Sequence, residues 1–290
     1  MRLKDVKEIF RKELKGIYAE EEIDNFFFMG VESFYDIDRL RLALNPEISI
    51  AKAEQEPILE ALHNLKQQKP IQYILGETEF YGLPFKVNSH VLIPRPETEE
   101  LVDWILNDTS LFSDGETLRI LDIGTGSGCI IVSLAKHLSN SKTFALDVSK
   151  EALRIATENA SNNNVAADFM EVNILEEGNW DLIFEDMEFD IIVSNPPYVL
   201  QSEKELMKPN VLENEPHLAL FVENDDPLLF YKVISRFADR YLSNKGCLYF
   251  EINEVLGNDT RALLEADGFK NIEVRKDIFN KDRMVKAIKA

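Results

Sequence analysis

The chain is poor in cysteine, in basic charge and in long apolar runs, and each shortage closes off a class of protein. Its two cysteines, Cys129 and Cys247, each lie inside an apolar run. Neither a disulfide framework nor a thiolate metal site is expected, and both read as small buried hydrophobes. The four histidines, His63, His90, His137 and His217, share no metal-ligand spacing, and none is assigned a catalytic role. No stretch approaches the ~18 consecutive apolar residues that a membrane span needs. The opening Met1-Arg2-Leu3-Lys4-Asp5 lacks the apolar core of a secretory signal, so a cytoplasmic protein is expected. Lys and Arg number 32 against 52 Asp and Glu, a formal net charge of −20. Duplex nucleic acid is held mainly by Lys and Arg that neutralise phosphates, and this composition carries no such footprint. Residues 1–75 hold 11 basic against 14 acidic residues, so most of the negative charge falls on the remainder. A solvated acidic surface and a basic partner account for it equally well.

What is present is enough for a sizeable core: 45% of the 290 residues are hydrophobic and 29% charged, the balance of a globular protein with one large α/β domain and a small accessory one. Leu3, Val6, Phe10, Leu14 and Ile17 recur at helical spacing. Ile23, Phe26, Phe27, Met29 and Phe34, then Ile37, Leu40, Leu42 and Leu44, continue the pattern. A further helix is expected over 54–69, with Ile58, Leu59, Leu62 and Leu65 inward. Residues 1–70 thus read as a small helical domain that Pro70 ends. Within a linker over 71–92, residues 79–81 and 85–87 read as short strands around Gly82-Leu83-Pro84, a β-hairpin. The main domain is placed at 93–290.

That domain opens on Arg95 between two prolines. Pro96 with Glu97, Glu99 and Glu100 behind it marks a helix start. Arg95 on this stiff loop suits ligand contact or is a plain surface arginine. Residues 119–123 then form a buried strand, Gly124-Thr125-Gly126-Ser127-Gly128 a glycine-rich turn, and Cys129 begins a helix. A second strand over 143–148 carries Asp147, 23 residues beyond Gly124. Glycines at alternate positions let backbone approach a ligand, and a carboxylate at that distance accepts from ribose hydroxyls. The ligand class is a nucleoside. A dinucleotide fingerprint needs G-x-G-x-x-G and a phosphate P-loop needs Gly-Lys-Ser/Thr; here the third glycine comes one residue early and no such lysine follows. The shorter loop, preceded by Asp122 and followed by Asp147, resembles that of S-adenosylmethionine-dependent methyltransferases, with NAD binding as the rival.

Asp190-Ile191-Ile192-Val193-Ser194 is an apolar run that ends abruptly in Asn195-Pro196-Pro197-Tyr198. It reads as a central parallel strand, the fourth after strands at 119–123, 143–148 and 167–172, with its carboxyl end at the ligand edge of the sheet. In the methyltransferase class that the loop resembles, such a tetrad after the fourth strand marks transfer to a nitrogen on a planar, conjugated group, which decides against NAD. Adenine, cytosine and the glutamine amide all qualify. The Asn195 side-chain oxygen and the Pro196 carbonyl are two acceptors that can take both N–H hydrogens and align the nitrogen. They bind more strongly as positive charge develops on it, and Tyr198 can pack on the planar group. No metal or general base is demanded.

Several segments together resemble the release factor glutamine methyltransferases. They are Gln72-Tyr73-Ile74-Leu75-Gly76, Phe80-Tyr81-Gly82, the 93–99 loop, the glycine loop, Asn195 to Tyr198, Glu215-Pro216 with Leu218-Ala219-Leu220, and Asp282-Arg283. The resemblance covers nearly all of 70–290. It implies an α/β, Rossmann-like class I S-adenosylmethionine-dependent methyltransferase fold with a small N-terminal helical domain and a connecting β-hairpin. It further implies N5-methylation of the glutamine in the Gly-Gly-Gln motif of class 1 peptide-chain release factors, with S-adenosylhomocysteine as product. Carried over by position, cofactor contacts fall on Gly124, Thr125, Gly126, Ser127, Gly128, Asp147, Asn173, Ile174 and Asn195. Substrate contacts fall on Asn195, Pro196, Pro197 and Tyr198, of which Asn195, Pro196 and Tyr198 are expected to be catalytic. At 174 some relatives have an aromatic residue where this chain has Ile174. After Leu220 the glycine-containing turn is replaced by Phe221-Val222-Glu223-Asn224-Asp225-Asp226-Pro227. A monomer that meets its substrate transiently is expected, with the helical domain as gripping surface.

The tetrad alone does not separate an amide from adenine. A nucleic-acid adenine N6-methyltransferase would need a basic groove, which this acidic chain does not display. A binding module without catalysis would not need the glycine loop, Asp147 and the tetrad all intact. The remaining chain completes the sheet with a helix over 227–241, a strand over 246–252, a helix over 259–267 and an antiparallel pair at 271–274 and 284–288. Glu251, at a strand's end, faces the site or serves as a structural carboxylate.

Overall fold

The computed structural model describes residues 1–108 and 117–290. The chain divides into two units, Met1–Glu77 with Lys208–Asn214, and Thr78–Met207 with Glu215–Ala290.

The first unit is helical: α1 (Leu3–Leu14), α2 (Glu20–Tyr35), α3 (Arg39–Leu44), α4 (Glu56–Lys66) and α5 (Ile71–Leu75). Leu3, Val6, Phe10 and Leu14 face Ile23, Phe27 and Val31 in one apolar cluster. The expected stripes hold with three exceptions. Helix α1 stops at Leu14 because Gly16 turns left-handed, φ 88°, and Ile17 leaves the buried face. Leu40 and Leu44 on the six-residue α3 point to solvent, 67% and 71% exposed. On α4 the buried set is Ile58, Ala61, Leu62 and Leu65, the i, i+3, i+4, i+7 stripe, and Leu59 lies off it.

Next come the hairpin strands β1 (Glu77–Phe80) and β2 (Leu83–Lys86), α6 (Pro96–Asp108), β3 (Leu118–Ile123), α7 (Cys129–His137), β4 (Ser141–Asp147), α8 (Lys150–Asn162), β5 (Asp168–Glu171), α9 (Trp180–Phe184), β6 (Phe189–Ser194) and β7 (Val199–Leu200). The chain continues with α10 (Pro209–Leu212, part of the first unit), α11 (His217–Leu220), β8 (Phe221–Val222), α12 (Leu229–Tyr241), β9 (Leu242–Glu251), α13 (Gly257–Ala266), β10 (Lys270–Lys276) and β11 (Asp282–Ile288).

Seven strands form one sheet in the order β10-β11-β9-β6-β3-β4-β5. The five strands β5, β4, β3, β6 and β9 are parallel, and β11 runs against both neighbours. From β3 the chain builds outward through β4 and β5, then returns to place β6 on the other side of β3. Strand order reverses there, and the carboxyl ends of β3 and β6 stand side by side. Alternation along the strands sorts the core into two faces. Leu121, Ile123, Phe144, Leu146 and Ile192 pack with α12 and α13; Ile120, Ala145, Ile191 and Val193 pack with α6 and α7. Strand β9 begins at Leu242, ahead of the expected 246, because a register shift against β6 absorbs the turn-like Ser243 to Gly246.

The hairpin is tied to the sheet's helical layer by one buried amide. Asn159 Oδ1 accepts from Lys86 N at 2.7 Å, and its Nδ2 donates to Lys86 O at 3.0 Å and Ser127 O at 2.8 Å. One side chain thus anchors β2, α8 and the glycine loop. Asn159→Ala strands one buried and two part-buried backbone groups and is expected to lower urea-unfolding stability by about 1–3 kcal/mol; a change within experimental error would contradict this anchoring.

Candidate active site

The glycine loop follows from β3. Gly124 N and Thr125 N both donate to Leu146 O, at 2.9 and 3.0 Å, pinning the loop to β4. Gly126, at φ 55°, has open space where a Cβ would stand. Gly128, at φ 80°, opens α7, and a Cβ there would meet the Ala156 Cβ at 3.0 Å. The first exposes backbone to a ligand, and the second allows helix to press on helix.

Two carboxylates brace this loop. Asp147, at the end of β4, accepts from Gly126 N and Ser149 N, each at 2.9 Å. Burial pushes its carboxyl up, and those amide donors work against the shift. Asp122, buried on β3, accepts from the Thr125 hydroxyl at 2.6 Å through Oδ2. Its Oδ1 has no hydrogen-bond partner among the described residues. Burial pushes this carboxyl up to about 7, with Asp147 adding to the rise.

Strand β6 delivers the tetrad. The Ser194 hydroxyl donates to Ile123 O at 2.6 Å, tying β6 to β3 just before both strands end. Asn195 Nδ2 donates to Thr98 Oγ1 at 3.4 Å, and the Thr98 hydroxyl donates to Glu251 Oε2 at 2.6 Å. The Tyr198 hydroxyl donates to the other oxygen, Oε1, at 3.0 Å. Asn253 Nδ2 donates to Tyr198 O at 3.2 Å, holding the backbone after the prolines. Nearby, Arg95 donates to Glu215 Oε1 at 2.6 Å and Ile93 N to Oε2 at 3.3 Å, so the fully buried Glu215 fixes the 93–95 loop.

A cavity of about 350 Å³ opens between these elements. Gly124, Thr125, Gly126, Ser127 and Asp147 line one side, with Asn173 and Ile174 adjoining. Asn195, Pro196 and Pro197 line it as well. Two expected residues do not. Gly128 faces Ala156, and the half-buried Tyr198 packs against the core with its hydroxyl on Glu251. Asn173 is engaged locally, accepting from Leu175 N and donating to Glu176. Arg95, Thr98 and Phe230 also line the cavity. Thr98 was hidden within a strong helix-start signal, and Phe230 on α12 is distant in sequence with nothing local to mark it. Among the described residues, no three His, Cys, Asp or Glu side chains gather as metal ligands. No described helix is long and apolar enough to cross a membrane.

Residues 12–76 match the PrmC N-terminal domain and 106–218 the Methyltransferase small domain. A release factor glutamine methyltransferase of Flavobacterium psychrophilum is 52% identical over 99% of this chain and 99% of its own. One of Bacteroides thetaiotaomicron is 40% identical over 96% of each. The chain belongs to the release factor glutamine methyltransferase family. The solved methyltransferase of Pyrococcus furiosus, 18% identical, shares the fold at a TM-score of 0.51, covering 83% of this chain and all of that one.

As a release factor glutamine methyltransferase family member the chain uses S-adenosylmethionine, and the residues present fit it. The cavity falls within the usual range for small ligands. It offers an exposed loop backbone at Gly124 and Gly126, a carboxylate at Asp147 and an apolar wall at Ile174. The unpartnered Asp122 Oδ1 lies beneath the same loop. This family member's Asp122 also imposes a pH dependence on the ligand-free fold. Its folded pKa of about 7 exceeds the unfolded value of about 4, so the folded chain keeps a proton that the unfolded chain releases between them. The stability contributed is full below about pH 4 and lost as pH rises through about 7. In urea unfolding the parent should lose stability relative to Asp122→Asn across that window and run parallel above it; a constant difference throughout would contradict the assignment.

Proposed function

We propose that the chain methylates the side-chain nitrogen, N5, of the glutamine in the Gly-Gly-Gln motif of class 1 peptide-chain release factors. The observation that carries the reading is the meeting of Asn195, Pro196 and Pro197 with the glycine loop and Asp147 in one cavity. When bound, S-adenosylmethionine supplies an electrophilic methyl on a sulfonium and leaves as S-adenosylhomocysteine.

The chain's own residues do the rest. Gly124 to Gly128 hold the amino-acid end, with Gly128 acting through the loop's shape rather than by contact. Asp147 takes the ribose hydroxyls on lone pairs that Gly126 and Ser149 leave open, while Asn173 and Ile174 border the adenine. Asn195 Oδ1 and the Pro196 carbonyl accept both amide hydrogens, turning the nitrogen lone pair toward the methyl. Those two acceptors bind more tightly as the nitrogen gains positive charge, which lowers the barrier, and one of the nitrogen's two protons then passes to water, leaving a neutral N-methyl amide. Tyr198 supports the planar group from the edge of the tetrad, its hydroxyl on Glu251. Residues 1–70 are assigned to gripping the factor, 71–92 to a linking hairpin and 93–290 to catalysis. The encounter is transient, and the working form a cytoplasmic monomer.

Asn195→Ala tests the reading. With labelled S-adenosylmethionine and a Gly-Gly-Gln release factor, turnover is expected to fall about 10²- to 10³-fold with cofactor binding largely kept. Undiminished turnover would remove Asn195 from the mechanism. A parallel incubation of the parent with DNA separates the adenine reading, for label on DNA and none on protein would overturn glutamine as the substrate.

A further inference from the structure

We propose that Glu251 and Thr98 are positioning residues that decide which end of the Asn195 amide faces the substrate. The inference rests on the acceptor role given to Asn195 above, and it concerns two side chains that touch no reacting atom.

An asparagine amide presents an acceptor at one end and two donors at the other, and the ends have nearly the same shape. Only the acceptor end suits a substrate nitrogen that brings hydrogens. With the amide turned over, donor would meet donor. Backbone geometry does not select between the two orientations, so a neighbouring group must.

Thr98 is that neighbour, and its own direction is set in turn. It is buried on the first turn of α6, 2% exposed. Its single proton is given to Glu251 Oε2 at 2.6 Å. Only lone pairs then remain on Oγ1 for Asn195, which must approach with its NH2, as it does at 3.4 Å. Oδ1 is left as the other end of the amide on a residue that lines the cavity.

Glu251 sets the sense of this relay and holds the tetrad's far end as well. It is 1% exposed, and its second oxygen takes the Tyr198 proton at 3.0 Å. Tyr231 secures the backbone by donating to Glu251 O at 3.4 Å. Both carboxyl oxygens therefore accept, one steering Asn195 through Thr98 and the other fixing Tyr198 directly. Burial pushes the carboxyl up, while the two hydroxyl donors and Arg283 favour the charged form that can accept twice. A purely structural carboxylate would be satisfied by any two donors; here the donors are the two contacts that hold opposite ends of one loop.

The test compares Thr98→Val, which keeps volume and removes the relay, with Thr98→Ser, which keeps the hydroxyl. The full chain is assayed on a Gly-Gly-Gln release factor, and cofactor Kd is measured by calorimetry. Thr98→Val is expected to lower kcat about 10- to 100-fold with cofactor Kd and release-factor KM unchanged, and Thr98→Ser to stay near the parent. Parent-level kcat in Thr98→Val overturns the proposal. So does a loss of kcat matched by a loss of cofactor affinity, which marks a structural role. Glu251→Gln, which accepts on one oxygen only, is the second variant should Thr98→Val not fold. It is expected to lower kcat with cofactor Kd unchanged, and parent-level kcat would again overturn the proposal. Asn195→Ala in the same assay separates the two claims. If it is inactive while Thr98→Val runs at the parent rate, the relay fails and the role of Asn195 stands; if it retains turnover, that role itself fails.

Discussion

The site depends on β3 and β6 ending side by side where the strand order reverses. The register that pairs Ile123 with Ser194 and the Ser194 hydroxyl on Ile123 O hold the two carboxyl ends together. From that one edge β3 sends out the glycine loop and β6 sends out Asn195-Pro196-Pro197-Tyr198. A reversed order is the only place in an open parallel sheet where two adjacent strands feed loops away from each other and leave a crevice between them. Donor pocket and acceptor tetrad are neighbours for a topological reason, although about 70 residues separate them in the chain.

Polarity is organised around that crevice with few charges. Asp147 braces the loop through two amides, and Asp122 holds Thr125 beneath it. Glu251 takes the protons of Thr98 and Tyr198. Asp122 and Glu251 are buried and Asp147 is half-buried, and burial raises each of their pKa values. Such placement costs stability unless hydrogen bonds offset it. Three acids that oppose burial in this manner, all within reach of one cavity, fit a site whose geometry matters more than its contribution to stability.

Much of this was legible in the sequence because the signals are local. The glycine loop, Asp147 and the tetrad are short runs whose chemistry is written in adjacent residues, and all but Gly128 and Tyr198 line the cavity. The helical periodicity of the first seventy residues likewise named its core, except where a short helix or a left-handed glycine turned Leu40, Leu44 and Ile17 outward. What escaped was non-local. Thr98, Glu251 and Asn195 come from α6, β9 and the end of β6, and no spacing rule connects them. Their relation exists only once β9 lies beside β6 and α6 packs against the sheet. Phe230 escaped for the same reason. Glu215 was noted only as part of a motif, and its buried bond to Arg95 on the stiff loop gives that arginine a defined partner.

The central claim is that two acceptors receive an amide that donates two hydrogens. Its most direct test is to measure, with S-adenosylhomocysteine present, the binding of a Gly-Gly-Gln release factor against the same factor with that glutamine replaced by glutamate. The carboxylate brings lone pairs and a negative charge to Asn195 Oδ1 and the Pro196 carbonyl, so the account predicts markedly weaker binding of the glutamate form. Equal or tighter binding would contradict it.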